Sequence, residues 1–243
     1  MTCDRKIGPY PCCTVVEGDC LELMKALPDG CVDAVITDPP YSFGMGSSTS
    51  ASSKNGGWGD FINGAVFYSV VLSEFRRVSR LATWIFGPWR GFPVLSKASF
   101  DVGWPIESQL VWDKGPEVGM GGLRGLRAQY ETVALFAQPL FQIADRSAKD
   151  IINIPWGGSA PRTNHPAEKP LALLEQIAVW TNGDTILDPF CGSGTTLVAA
   201  KKLGRHFLGF EISHDYCEIA RRRLAEIDAQ PNLFEPKAEQ LTL

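Results

Sequence analysis

A doubly wound, mostly parallel α/β sheet is the fold class that this 243-residue sequence predicts. Apolar runs of strand length alternate with segments of helical period along most of the chain. Val32 to Thr37 is nearly continuous in apolar residues, as strands buried on both faces of a parallel sheet are. Two of the strands also end in chemistry-bearing corners, Thr37-Asp38-Pro39-Pro40-Tyr41 and Asp188-Pro189-Phe190-Cys191-Gly192-Ser193-Gly194-Thr195-Thr196. Open α/β sheets bind their ligands beyond the carboxyl ends of the strands, and these corners fall there.

The first strand, Thr14-Val15-Val16-Glu17, leads through Gly18-Asp19 into a helix marked by Cys20, Leu23, Met24 and Leu27, which Pro28-Asp29-Gly30 stops. After the Val32 to Thr37 strand, residues 42–60 are rich in Gly and Ser and carry no period; they are expected to form a mobile loop, in position to close over a ligand. Phe67, Val70, Val71, Phe75 and Val78 mark one face of the next helix, followed by a strand over 81–87 and a short helix over 92–98. Strands near 106–112 and over 132–137 flank a loop, 113–129, that holds five glycines. Residues 150–164 read as irregular because of Pro155, Gly157, Gly158 and Pro161. A helix follows from Pro170, which suits a first helical position, and then the strand Thr185-Ile186-Leu187. The helix after the glycine corner ends at Leu203-Gly204, a glycine stop. A strand over 207–212 and an amphipathic helix on Tyr216, Ile219, Ala220, Leu224 and Ile227 complete the pattern, with 231–243 as a tail.

Composition narrows the setting. No run approaches the roughly 18 apolar residues that cross a bilayer, and the first eight residues lack a signal core, so no membrane association and a cytoplasmic location are expected. The seven cysteines are odd in number and contain no C-x-x-C pair, which argues against a disulfide framework and a zinc site. Cys12-Cys13 would suit a metal, but no matching ligands are evident elsewhere, and no metal is expected. The net charge is -4, yet 114–169 holds seven Lys/Arg against five Asp/Glu, a bias compatible with a phosphate-facing surface. Lys114, Arg124, Arg127, Arg146, Lys149 and Arg162 are the candidate contacts to phosphates or guanine edges.

The first corner sets a carboxylate beside two prolines that fix the backbone and a ring that offers a stacking surface, the parts needed to grip a planar base. The second is a strand, glycine turn and helix that aims free N–H groups at a negatively charged ligand. It lacks the lysine and spacing of a phosphate loop, and Leu197 stands where a dinucleotide fingerprint has its third glycine. Glu211, at the end of the next strand, is placed as an acid accepting from ribose hydroxyls would be. The combination suits a nucleoside whose tail is a zwitterion, with Asp188 near its ammonium and Gly192, Ser193, Gly194, Thr195 and Thr196 near its carboxylate.

In this order the motifs resemble those of the DNA amino-methyltransferases, specifically the circularly permuted (beta) class in which the catalytic motif precedes the cofactor motif. The resemblance covers roughly residues 15–228. Gly18-Asp19 resembles the acid that contacts the cofactor adenine, and Thr37 to Tyr41 resembles the catalytic motif. Gln129-Tyr130-Glu131-Thr132 resembles the motif beside the target-base pocket. His165-Pro166-Ala167-Glu168-Lys169-Pro170 is similar to the family's His-Pro-Thr-Gln-Lys-Pro, departing at its two inner positions.

The resemblance implies a Rossmann-like S-adenosylmethionine-dependent methyltransferase fold. It further implies a single domain over 1–243 with a seven-stranded sheet, one strand reversed (132–137), and a short target-recognition region around 113–164. The implied cofactor is S-adenosylmethionine, held by Asp19, Lys169, Asp188, Phe190, Gly192, Ser193, Gly194, Thr195, Thr196 and Glu211. The implied catalytic residues are Asp38, Pro39, Pro40 and Tyr41, acting on the exocyclic N6 amine of a flipped-out adenine in double-stranded DNA. Asp at the head of the motif favours adenine, by family tendency, over cytosine N4. RNA or protein-amide methylation and a non-catalytic cofactor-binding module are the further alternatives. A second copy of the chain and a cognate restriction endonuclease are open as partners.

Overall fold

The computed structural model describes residues 3–40, 58–116, 126–156 and 168–229. A hairpin of β1 (Lys6–Ile7) and β2 (Tyr10–Pro11) opens the chain, and β3 (Thr14–Glu17), α1 (Cys20–Met24) and β4 (Val32–Thr37) follow. Next come α2 (Trp58–Val78), β5 (Ser79–Gly87), α3 (Phe92–Asp101), β6 (Ser108–Asp113), β7 (Tyr130–Ala137) and β8 (Ile151–Asn153). The last third holds α4 (Leu171–Trp180), β9 (Thr185–Asp188), α5 (Thr195–Lys202), β10 (His206–Glu211) and α6 (His214–Ala229).

The main sheet runs β3-β10-β9-β4-β5-β7-β6-β8, and β7 is antiparallel to both its neighbours. The remaining pairings are parallel, as the alternation of strands and helices predicts. Among the described residues the sheet has eight strands where seven were expected. The eighth, β8, lies within the stretch read as irregular; its three residues pair with β6 at the edge, too few to carry a period. The early hairpin was also not foreseen, for the same reason.

All six residues of β4 are buried. Ala34 and Ile36 pack on one face with residues of α4, α5 and α6, and Val35 packs on the other with residues of α1, α2 and α3. This makes a three-layer stack in which a strand must be apolar on both sides. On α2 the buried face is Ala65, Tyr68, Val71, Leu72, Phe75 and Val78, whereas Val70, expected on it, is exposed. That helix begins at Trp58, three residues inside the expected loop, and residues 41–57 lie outside the described set.

One polar residue inside β4 is accounted for. Asp33 accepts from Arg80 Nε at 2.9 Å and from the backbone N–H groups of Asp184 (2.7 Å) and Thr185 (3.0 Å). Burial would raise its carboxyl, but those donors outweigh burial and hold it below the usual carboxylate range. It thereby ties the amino ends of β4, β5 and β9 together. Gly183 must be glycine for this contact, because a Cβ there would sit 2.5 Å from the Asp33 Cβ. Among the described residues no helix is long and apolar enough to cross a membrane.

Candidate active site

The strands β4 and β9 are parallel neighbours, with Val35 opposite Leu187, so their carboxyl ends lie side by side. The two corners therefore meet. Thr37 Oγ1 donates to Asp188 Oδ1 at 2.7 Å, a direct link from the last residue of one strand to the last of the other. Between the corners lies a cavity of about 360 Å³. Asp38, Pro39 and Pro40 line one side, Asp188, Phe190, Cys191, Gly192, Ser193, Thr195 and Thr196 the other, and Lys169, Glu211 and Tyr216 border it.

The glycine corner is built by close approach. Gly192 and Gly194 have φ of 50° and 83°, backbone that favours glycine, and Gly194 caps α5. A Cβ on Gly194 would come within 2.8 Å of the Ala220 Cβ, so the loop packs directly on α6. Glu211 folds the end of β10 around the same loop: its two carboxylate oxygens accept from Gly192 N (2.9 Å) and Ser213 N (2.8 Å). Arg223 of α6 braces the far side, donating to Ser193 O (2.7 Å), Ser193 Oγ (3.0 Å) and Thr195 Oγ1 (3.1 Å). The same guanidinium pairs with Glu168 at 2.7 Å. Position 168 is one of the two at which the chain departs from the expected motif, and the partner on α6 gives its carboxylate a place.

Asp188 is buried and accepts from Thr37 Oγ1 and from Phe190 N at 3.1 Å. Burial dominates and pushes its carboxyl up to about 7, against the hydrogen bonds from Thr196 and Thr37. A group balanced near neutrality at the wall of a cavity changes protonation readily when a charged ligand arrives.

Around Asp38 the charges are arranged differently. The Lys169 ammonium, only 9% exposed, contacts Asp38 Oδ2 and lies 3.2 Å from Glu131 Oε2, over the Phe86 ring. Glu131 in turn pairs with Lys114, whose ammonium sits between the Trp112 and Trp156 rings at 5.3 and 5.4 Å. Burial alone would lower the Lys169 ammonium and raise the Glu131 carboxyl. The facing charges outweigh it, so Lys169 moves up and Glu131 down, and both are held ionised.

Most of the expected site residues are thus brought to one cavity, and a few are placed elsewhere. Asp19 is the N-cap of α1, accepting from Leu21 N at 2.8 Å, beside the end of β10. Lys169 reaches the cavity but spends its charge on Asp38 and Glu131. Lys114, expected to meet phosphates, is turned inward at 12% exposure, because the Glu131 carboxylate and two indole rings hold its ammonium. Arg127 is exposed, as are Arg146 and Lys149. Tyr41, Arg124 and Arg162 lie outside the described residues.

Several contributors were not singled out as site residues: Thr37, Phe86, Glu131, Glu168, Tyr216 and Arg223. Thr37, Glu131 and Glu168 stand inside the quoted motifs, where neighbourhood was the available signal. Arg223 follows two other arginines on an amphipathic helix and looks like a solvated charge until the fold sets it against the glycine loop.

Comparison with known proteins bears on the family and the fold. The DNA methylase family of N6 and N4 methyltransferases matches residues 32–222. Type II methyltransferase M.HinfI of Haemophilus influenzae is 27% identical over 258 residues, covering 91% of this chain and 71% of that protein. Type II methyltransferase M2.MboI of Moraxella bovis is 27% identical over 240 residues, covering 88% of each. Among solved structures, the PvuII DNA methyltransferase, described as cytosine-N4-specific, superposes with a TM-score of 0.72 at 17% identity, over 88% of this chain and 89% of that one. The M1.HpyAVI–SAM complex superposes with a TM-score of 0.65 at 22% identity, over 87% and 98%. At those identities the superpositions speak to the fold, a Rossmann-like methyltransferase sheet. The family match spans most of the chain, and this protein belongs to the N6/N4 DNA methylase family.

Proposed function

We propose that this protein is an S-adenosylmethionine-dependent DNA methyltransferase of the circularly permuted class, and that its target is the exocyclic N6 amine of adenine. The observation that carries the reading is the single cavity shared by the two corners, with the Asp-Pro-Pro corner first in the chain and the glycine corner second.

The donor set fits the cofactor. The N–H groups of a glycine turn at the start of α5 suit a carboxylate, and a buried carboxyl balanced near neutrality suits an ammonium. Glu211, at the end of β10, suits ribose hydroxyls. Asp19, one strand further out, is proposed for the adenine end, and Phe190, Ser193, Thr195 and Thr196 for the walls. When bound, S-adenosylmethionine supplies an electrophilic methyl on a sulfonium.

An exocyclic amine is a weak nucleophile because its lone pair is delocalised into the ring. Asp38 and Pro39 both line the cavity, and the Asp38 carboxylate and the Pro39 carbonyl are proposed as the acceptor pair for the two N–H bonds. Such a pair favours a pyramidal nitrogen and stabilises the positive charge that develops on it. Lys169 and Glu131 are positioning residues that fix the Asp38 carboxylate. The two prolines limit backbone motion, and the fixed setting of both partners supplies much of the rate. Tyr41, next in the chain, is proposed as the ring on which the flipped base stacks.

Residues 113–164 are proposed as the recognition region, with Arg124, Arg127 and Arg162 at the DNA. Its brevity suits a short target or help from a second copy of the chain. Work beside a cognate restriction endonuclease, in the cytoplasm, is part of the same proposal, and the similarity to Type II methyltransferases supports it. Sequencing that reports modified bases, on DNA from cells expressing the protein, tests the whole reading, with Asp38→Ala as control. Modified adenines confined to one short motif are the expected result. Modified cytosines would overturn the choice of base, and unmodified DNA would overturn the activity.

A further inference from the structure

The amino end of β10 carries a second constellation, about 17 Å along the strand from Glu211. The β1–β2 hairpin folds the start of the chain back, and it is fastened by Cys12 N to Arg5 O at 2.9 Å and Cys13 N to Phe207 O at 2.7 Å. As a result Cys3, Cys12 and Cys13 surround His206, the first residue of β10. Their sulfurs lie 3.4, 3.1 and 3.9 Å from His206 Nδ1, and the Cys12 and Cys13 sulfurs are 3.4 Å apart. One ligand atom from each of the four residues falls within 4.8 Å of the others.

Hydrogen bonding accounts for little of this. One imidazole nitrogen has one lone pair and can accept one S–H, yet three sulfurs converge on it. A tetrahedral zinc ion, with Zn–S near 2.3 Å and Zn–N near 2.0–2.1 Å, sets S···N at about 3.5 Å and S···S at about 3.8 Å. The observed separations scatter around those values. Successive side chains of an extended chain point to opposite faces, so two adjacent cysteines do not normally present their sulfurs together. Cys13 has φ of 60°, the only non-glycine in that region among the described residues, and this kink brings its sulfur beside that of Cys12. Such a conformation costs about 1 kcal/mol or more for a residue with a Cβ, and strain of this kind gathers at functional sites. The other ring nitrogen of His206 faces Asp184 Oδ2 at 3.8 Å, and that carboxylate also takes Arg5 at 2.9 Å. A carboxylate behind the imidazole is the usual outer partner of a metal-bound histidine.

We propose that Cys3, Cys12, Cys13 and His206 form a structural zinc site that clamps the amino-terminal hairpin to the edge of the sheet. The sequence showed no complete ligand set for Cys12-Cys13 because His206 stands 194 residues after Cys12, and Cys3 joins the pair only through the fold of the β1–β2 hairpin; the expectation of no metal is revised on that ground. Uptake of one Zn²⁺ releases the three thiol protons and leaves the centre with a charge of -1. Four protein donors close the coordination sphere, so the ion serves the fold and takes no part in chemistry at the cavity. The proposal stands independently of the methyl-transfer reading.

The test uses the full chain, purified reduced and without a histidine tag. Elemental analysis after exposure to Zn²⁺ and desalting should find about one zinc per chain. Co²⁺ in its place should show the intense visible bands and thiolate charge transfer of a tetrahedral site. The paired substitution Cys12→Ser, Cys13→Ser should lower zinc affinity more than about 100-fold, and Asp184→Asn, which keeps every ligand, about tenfold. Cys31→Ser, outside the cluster, should retain the metal. Substoichiometric zinc in the reduced wild type, an octahedral Co²⁺ spectrum, or full zinc in the Cys12/Cys13 variant would each overturn the site. If that variant does not fold, unchanged affinity in Asp184→Asn does so.

Discussion

Asp38 and Asp188 stand at equivalent places, just past or at the ends of two adjacent parallel strands, yet their surroundings are opposite in kind. Asp38 faces the Lys169 ammonium, itself one link in a buried chain through Glu131 to Lys114. Asp188 faces hydroxyl and amide donors, and burial lifts its carboxyl to about 7. A carboxylate locked to a cation keeps a fixed acceptor geometry, which suits orientation of an amine. A carboxyl near its titration point exchanges its proton for a cationic ligand, which suits recognition. Under the proposed function the same side chain serves two roles because different neighbours are brought to it.

The sharpest way to break this comparison is to remove each carboxylate in turn. Asp38→Ala should lower kcat by about 10³-fold, the scale of losing a donor or acceptor aimed at a developing charge. Cofactor affinity, measured by calorimetry, should stay within a few-fold. Asp188→Asn should show the reverse weighting, with cofactor affinity at pH 8 down about 10- to 100-fold through loss of a charged hydrogen bond. Equal losses in both variants and both readouts would mean that the corners are not specialised.

Lys169→Met comes next in size. It leaves Asp38 and Glu131 facing each other with one fewer cation, and breaking a buried pair from one side costs roughly 3 kcal/mol or more. Denaturant melts should show that loss. Adding Glu131→Gln should recover part of it, since the two positions share one interaction. Transfer should fall about 100-fold with cofactor affinity nearly unchanged, which separates positioning of Asp38 from cofactor binding.

The legibility of these parts follows from how local their chemistry is. The β4 strand, its Asp-Pro-Pro corner and the glycine loop were readable because adjacent residues carry both the conformation and the reactive groups. The partner of each was not. Nothing near Glu168 announces Arg223, 55 residues later, and nothing near Cys12 announces His206. Lys114 was misplaced for the same reason, since a lysine in a glycine-rich stretch looks solvated until Glu131 and two tryptophans close on it. Strand β8 escaped because three edge residues leave no periodic trace.

The titration of Asp188 sharpens the contrast further. Its folded carboxyl is raised from 3.8 to about 7, so the folded state holds the extra proton. Stability of the cofactor-free protein is therefore greatest below the unfolded value and declines as pH rises through about 7. A cationic group on the cofactor reverses the preference: below pH 7 its binding must expel the proton, so affinity should climb by up to about tenfold per pH unit and level off above 7. Calorimetry in buffers of different ionisation enthalpy should report close to one proton released per cofactor at pH 6. Asp188→Asn should flatten both profiles.

Thr37→Val is the smallest change and the one that addresses the join between the corners. The hydroxyl donates to Asp188 Oδ1 at 2.7 Å from the residue immediately before Asp38, and the bond favours the ionised carboxyl. Valine keeps the shape and removes the donor, so the Asp188 carboxyl should rise further. The loss is about 1 kcal/mol, less than one pH unit. The pH at which cofactor affinity levels off should move up by that amount, while kcat at saturating cofactor and high pH stays near wild type. If kcat falls instead and the pH profile does not move, Thr37 acts by holding Asp38 in place, and the two corners are coupled through the backbone of β4 rather than through the proton on Asp188.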